Sequence, residues 1–166
     1  MSRDILFKEA DFVFSLRVGG IAIENGKILL QRPPGDDYAI VGGHVEALET
    51  AADALKREFR EELHTEIEVG DFLAVGEVFF PWGKKPCHSI CFYYRIGLKG
   101  DTVPKDGIFH GFDEMENERI DLDYCWVPLE ELRKGLKVYP LELIPYLLDE
   151  PRQTVHFVYR EEAENG

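Results

Sequence analysis

Two hydrophobic periods alternate along this chain. Phe12 to Glu24 is rich in β-branched and aromatic residues, Asn25-Gly26 follows, and Lys27 to Arg32 alternates apolar and polar side chains. This predicts two antiparallel strands joined by a tight hairpin, because an Asn-Gly pair tolerates the positive φ angles such a turn demands. Pro33, Pro34 and Gly35 break the run, and Tyr38 to Val41 is a short apolar stretch. The next two residues, Gly42 and Gly43, are expected in a loop whose backbone bends sharply or lets a ligand come close. From Ala51 to about Leu63 the period becomes helical. Thr50 and Asp53 have the spacing of a capping box, with Asp in place of Glu, and Ala52, Leu55, Phe59 and Leu63 fall on one apolar stripe.

Beyond the helix, Glu66 to Phe80 and Cys87 to Leu98 read as arms of a second hairpin around the loop PWGKKP. Tyr124 to Val127 reads as a further strand, and Pro128 is placed to open a short helix over LEEL. Leu141 to Leu148 has the pattern of another helix, and Thr154 to Tyr159 alternates as a last strand. Strands interleaved with two or three helices predict an α/β (α+β) fold, a mixed β-sheet with helices packed on its faces. Residues 1–160 are expected to form one domain, with 161–166 as an acidic tail outside it.

Composition narrows the setting. A chain of 166 residues, 45% hydrophobic and 31% charged, is long enough to bury one core without staples. No apolar run is long enough to span a bilayer, and the first residues lack the apolar centre of a signal peptide, so no membrane partner and a cytoplasmic location are expected. Cys87, Cys91 and Cys125 are odd in number and sit in strand-like contexts, which fits a reducing compartment. Cys87, His88 and Cys91 lack the second ligand pair that a zinc finger needs. A net charge of −13 argues against long nucleic acid, whose affinity comes from Lys and Arg neutralising phosphates. A small phosphorylated ligand remains compatible if a divalent cation offsets its charge.

The charge itself is clustered. At about 100° per residue, Glu58, Glu61 and Glu62 occupy a sector roughly 100° wide beside the apolar stripe. Ala51 and Ala54 lie in that sector one or two turns earlier, leaving room for a ligand near the glycines. Carboxylates crowded at helical spacing repel one another unless a cation intervenes. Hard oxygen ligands suit Mg²⁺ or Mn²⁺, with water and substrate phosphates completing the shell. The alternative for the same residues is a solvated acidic face paired with Lys56, Arg57 and Arg60.

A longer pattern bears on that choice. Gly43, five residues, Glu49, seven residues, then Arg57-Glu58, apolar Phe59, one residue and Glu61-Glu62 resembles the signature of the Nudix hydrolase family. The strand ILLQR before it and WVPLEEL after it agree more loosely, and the resemblance covers residues 10–150 approximately. It implies a Nudix-type α/β/α sandwich that uses Mg²⁺ to hydrolyse a nucleoside diphosphate linked to another group. By position, Glu58, Glu61 and Glu62 would be metal ligands together with the carbonyl of Gly42 or Gly43. Glu58 would share the metal or act as base, oriented by Arg57, and Glu49 would support the loop and the helix start. The resemblance also implies a small-molecule nucleotide substrate and, by analogy, a homodimer. A housecleaning nucleoside-triphosphate pyrophosphatase and a non-catalytic nucleotide sensor are the competing readings.

The chain departs from the family pattern at two places. His64 stands where a glycine normally closes the helix, and it is expected as a left-handed cap under mild strain. Val41 stands where many members have proline. Some members recruit a further glutamate from outside the signature, and the stretch FDEMENERIDLD, read as a loop, offers Glu114, Glu116 and Glu118, with Glu118 preferred. For the substrate, Arg32 and Lys84 or Lys85 are candidates for a phosphate, Trp82 and Phe80 for a stacked base, and His44 for ligand or metal contact.

Overall fold

The structure, a computed structural model, describes residues 3–115 and 118–161, with the side chains of 112–120 outside that description. Its strands run β1 (Leu6–Lys8), β2 (Val13–Ile21), β3 (Ile23–Glu24), β4 (Lys27–Arg32) and β5 (Tyr38–His44), followed by the helix α1 (Ala51–Leu63). Two long strands come next, β6 (Glu66–Trp82) and β7 (Lys85–Lys99), then β8 (Ile108–Met115) and β9 (Glu118–Pro128). The chain ends with α2 (Leu129–Arg133), β10 (Val138–Tyr139), a 3-10 turn at Leu141–Leu143, α3 (Ile144–Leu148) and β11 (Val155–Arg160).

The main path through the sheet is β11-β6-β7-β2-β5-β4-β9-β8. It is mixed, as expected: β2 runs parallel to β7, and β11 to β6, while β5 is antiparallel to both of its path neighbours, β2 and β4. Asn25 and Gly26 take φ of 52° and 75°, which is the hairpin geometry their sequence predicts. The second hairpin is tighter than PWGKKP implies. Trp82 pairs with Lys85, so only Gly83 and Lys84 turn.

One face of the sheet buries Val18, Leu29, Val41 and Trp126 against Leu55 and Phe59 of α1, and the other covers Ile21, Leu30, Ile40 and Tyr93 with Leu132 of α2 and Leu143 and Leu147 near α3. Helices thus pack on both faces. Among the described residues, no helix is long and apolar enough to cross a membrane. The Thr50 side chain accepts a hydrogen bond from the Asp53 backbone at 3.1 Å, a cap worth about 1 kcal/mol. Burying Leu55 and Phe59 contributes about 1.5–3 kcal/mol each.

Four expectations need correction. The first predicted strand breaks at Ala22, separating β2 from β3. Gly42 and Gly43 lie within β5, paired with Gly19 and Val18, and not in a loop. In α1, Ala52 is only half-buried and Ala54 is fully buried in the core, so Ala54 leaves no room for a ligand. Outside residues 116–117, the predicted acidic loop is built into β8 and β9, and β9 begins well before Tyr124. Acidic residues discourage strands, but β9 pairs with β4 on one side and β8 on the other, and that pairing overrides the local preference.

Candidate active site

Helix α1 begins seven residues after the end of β5, and Arg57 holds the connection. Its Nη2 donates to Glu49 Oε1 at 2.7 Å and to the His44 carbonyl at 3.0 Å. Its Nε donates to Glu49 Oε2 at 3.2 Å, and its Nη1 to Glu58 Oε1 at 3.0 Å and Glu61 Oε2 at 3.3 Å. Glu49 also accepts from the Glu46 backbone at 2.8 Å. Burial works against the charge on Arg57, but the carboxylates of Glu49 and Glu58 outweigh it and hold the guanidinium more firmly protonated than usual. For Glu49, burial likewise opposes ionisation, while the Arg57 hydrogen bond and the Glu46 N–H prevail and lower its pKa. The sequence expectation that Arg57 orients Glu58 and that Glu49 braces the helix start therefore has a matching geometry.

The two glycines face opposite ways along β5. A Cβ on Gly43 would fall 2.6 and 2.7 Å from the carboxylate oxygens of Glu58, so that side chain sits directly against the Gly43 backbone. A Cβ on Gly42 would collide with the Val18 carbonyl of β2. Neither glycine has a positive φ, so both are required for close approach and not for a bend.

Glu62 is 8% exposed and its Oε2 accepts from the hydroxyl of fully buried Tyr124 at 2.8 Å. Glu61 is the exposed member of the three, with a side chain 60% accessible. Among the described residues, no three His, Cys, Asp or Glu side chains converge as a ready-made metal cage. Mg²⁺ does not need one, because it keeps several waters and takes one or two carboxylates besides. The seat that Gly43 leaves for the Glu58 carboxylate, with Glu62 on the same helix, fits such a partly hydrated cation.

His64 closes α1 at φ 51°, ψ 37°, the left-handed cap expected of it. His44 is buried, and desolvation first, then the charges of Arg17, Arg57 and Lys8, hold its pKa down at about 3. Its ring lies 6.3 Å from Trp82, which in turn lies 6.4 Å from Phe80, so these candidates do come together. Lys8 sits over the Trp82 ring at 5.5 Å, and Lys85 donates to the Glu9 carbonyl at 2.7 Å, which ties the hairpin tip to the start of the chain. Arg32 stacks on Tyr38 at 4.5 Å. Glu116 lies outside the described residues, as do the side chains of Glu114 and Glu118. Cys87 and Cys91 are buried free thiols whose pKa burial raises, and neighbouring His88 stacks on Phe79 at 4.5 Å.

Sequence reasoning missed a cleft of about 230 Å³ on the sheet face away from α1, with Arg17, Gln31, Phe80, Tyr93, Tyr139 and Tyr159 among its lining residues. Gly42 belongs to its wall, one residue from the Glu58 seat. A signal was present: Phe14, Leu16 and Val18 alternate with Ser15, Arg17 and Gly19, so one face of β2 is polar. The close pair His110–Asp123, at 2.6 Å between Nδ1 and Oδ1, joins β8 to β9 and has no local sequence signature.

A family model described as NUDIX domain matches residues 14–147. The CTP pyrophosphohydrolase of Escherichia coli (strain K12) is 47% identical over 62 residues, which cover 34% of this chain and 46% of that protein. The match therefore spans under half the length of that relative. A mutator MutT protein from Bacillus halodurans superposes with a TM-score of 0.58 at 20% identity, over 87% of this chain and 90% of that one. An ADP-ribose pyrophosphatase from Streptococcus suis 89-1591 gives 0.53 at 15% identity, over 86% and 98%. These structural likenesses speak for the fold, and the family match across 14–147, together with Gly43, Glu49, Arg57, Glu58, Glu61 and Glu62 standing in the pattern, makes the chain a member of the Nudix hydrolase family.

Proposed function

We propose that this protein is a Mg²⁺-dependent pyrophosphohydrolase that cleaves a diphosphate linkage in a nucleoside diphosphate joined to another group. The observation that carries the reading is the Glu58 carboxylate, seated against Gly43 and tied by Arg57 to Glu49 and to the His44 carbonyl. A carboxylate held from several directions is pre-positioned, and positioning is a large part of catalysis. Glu58, Glu61, Glu62 and the Gly43 carbonyl would hold the cation. When bound, Mg²⁺ offsets charge on the diphosphate and lowers the pKa of a water. Glu58 takes a proton from the attacking water or shares the cation, and Arg57 fixes which way its carboxylate faces. Tyr124 donates to Glu62 and holds the helix carboxylate toward β9. The cleft beside Gly42 receives the nucleoside. The name of the Escherichia coli relative, a CTP pyrophosphohydrolase, supports a nucleotide substrate.

The test is phosphate release from nucleoside triphosphates, ADP-ribose, sugar nucleotides, NADH and dinucleoside polyphosphates, with phosphatase and pyrophosphatase reporters, with and without Mg²⁺. Metal-dependent turnover of one class, falling at least about a hundredfold in Glu61→Gln while the melting temperature holds, is the expected result. Silence across the panel while Mg²⁺ still raises the melting temperature would favour a nucleotide sensor instead.

A further inference from the structure

Two polar side chains mark out the cleft away from α1. Ser15 Oγ donates to Ser89 Oγ at 3.0 Å, so the β2–β7 floor satisfies itself. Arg17 and Gln31 differ. The guanidinium of half-buried Arg17 makes no hydrogen bond or ion pair with any described residue, although the chain carries 32 acidic side chains against 19 basic ones. Gln31 is only 9% exposed, and its Oε1 is buried without a hydrogen-bond donor among the described residues. Around them the walls are flat and aromatic: Phe80, Tyr93, Tyr139 and Tyr159. Tyr93 lies so close to the β2 backbone that a Cβ on Gly19 would fall 2.9 Å from its ring.

A guanidinium without an acceptor, an amide oxygen without a donor and aromatic walls describe the complement of a planar heterocycle. A phosphate fits less well, because Glu161 also lines the cleft and would repel it. At about 230 Å³ the space is below the about 300–1,000 Å³ of drug-sized sites, which suits a base and part of a sugar. Arginine presents two parallel N–H donors in a rigid fork, so it selects an edge with two adjacent acceptors. Cytosine offers O2 and N3, followed by an amino donor, and guanine offers O6 and N7, followed by an imino donor. Uracil interposes N3–H between its carbonyls, and adenine sets an amino group between its ring acceptors.

We propose that Arg17 is a specificity-determining residue: its fork takes two adjacent acceptors of a nucleobase held in this cleft, Gln31 Oε1 accepts from the neighbouring donor, and the protein thereby selects cytosine or guanine nucleotides over uracil and adenine ones. The inference rests on the nucleotide-hydrolase reading above, and it concerns binding, which can be measured apart from turnover.

The experiment measures Kd by calorimetry for non-hydrolysable α,β-methylene analogues of CTP, GTP, UTP and ATP with Mg²⁺, using wild type, Arg17→Lys and Arg17→Met. Wild type should prefer the cytosine or the guanine analogue by about tenfold or more, and the two arms tell which base it is. Arg17→Lys keeps the charge and loses the fork, so it should weaken the preferred analogue about tenfold and leave the uracil and adenine analogues within about twofold. Gln31→Leu should reduce the same preference, which checks the result with a substitution that leaves Arg17 in place. Equal weakening of all four analogues by Arg17→Lys would make Arg17 a general anion contact and overturn the proposal. Lack of base preference in a wild-type protein that hydrolyses nucleotides would overturn it while the hydrolase reading stood. Selective binding with no turnover of any substrate would instead sink the hydrolase reading and leave the base selection intact.

Discussion

Gly42 and Gly43 are neighbours, yet adding one methyl group to each should produce opposite failures. In Gly43→Ala the new Cβ meets the end of a flexible side chain, 2.6 Å from Glu58 Oε1. The carboxylate carbon, closer still, must retreat by about 1 Å to reach ordinary contact at 3.4 Å. It can do so by rotating, so the sheet survives and the site does not. Misplacement of a catalytic group by about 1 Å can cost about 10²-fold in rate, and we expect a loss of that order in kcat/KM. Stability should change little, because the smaller backbone entropy of unfolded Ala, about 0.4–1 kcal/mol, opposes the strain of moving Glu58. In Gly42→Ala the Cβ meets the Val18 carbonyl, and backbone cannot rotate away. The β2–β5 pair must separate, at a cost of about 3 kcal/mol or more, which lowers Tm by about 6–12 °C in a protein of this size. Thermal melts without metal, paired with Mg²⁺-dependent turnover, separate the two outcomes. A Gly42→Ala protein that melts like wild type, or a fully active Gly43→Ala protein, would show that the packing argument is wrong.

Two further outcomes follow from buried groups. Tyr124→Phe removes the donor to Glu62 at 2.8 Å, and hydrogen bonds to charged groups contribute about 1.5–3 kcal/mol. Metal-free melts should drop accordingly, and calorimetric Mg²⁺ affinity should fall about tenfold or more, as when a ligand's outer partner is lost; unchanged values for both would leave Tyr124 a packing residue. For His44, the folded pKa is depressed to about 3 from 6.5, so between those values the unfolded chain binds a proton that the native state does not. Stability should therefore be flat above pH 6.5 and decline as pH falls toward 3, by at most about 1.4 kcal/mol per pH unit from this group. Urea melts of metal-free His44→Gln across pH 4 to 8 should show a shallower acid decline than wild type, and an identical slope would remove His44 as its source.

Local chemistry made much of this site legible, and distant contacts hid the rest. The start and end of α1 could be read because a Thr50 cap and a His64 left-handed stop act within one turn. The Arg57 bridge to Glu49 spans only eight residues and falls inside the same pattern. The sequence suggests a loop at Gly42 and Gly43 because glycine signals both sharp turns and close approaches. Only the partners decide which applies, and Val18 and Glu58 reach the glycines from other elements. The cleft was invisible for the same reason, since Arg17, Gln31, Tyr93 and Tyr159 come from four strands. The alternation around Arg17 showed a polar face but not what would stand opposite it.

Charge bears on how the proposed site would divide its work between that cleft and the helix carboxylates. A chain with a net charge of −13 repels a polyanionic nucleotide at long range, so capture depends on short-range features that act within a Debye length, about 8–10 Å. Three cations bear on His44, namely Arg17, Arg57 and Lys8. Arg57 is committed to Glu49, Glu58 and Glu61, and Lys8 lies over Trp82. Burial and these charges hold the His44 pKa down at about 3, although the Asp4 carboxylate lies 3.7 Å from its Nδ1. The Arg17 guanidinium has neither hydrogen bond nor ion pair with a described residue, and it lines the cleft. On the proposed reading the division of labour is chemical: a bound cation would answer the phosphates beside Glu58, and Arg17 would answer the rest of the ligand one residue away across β5.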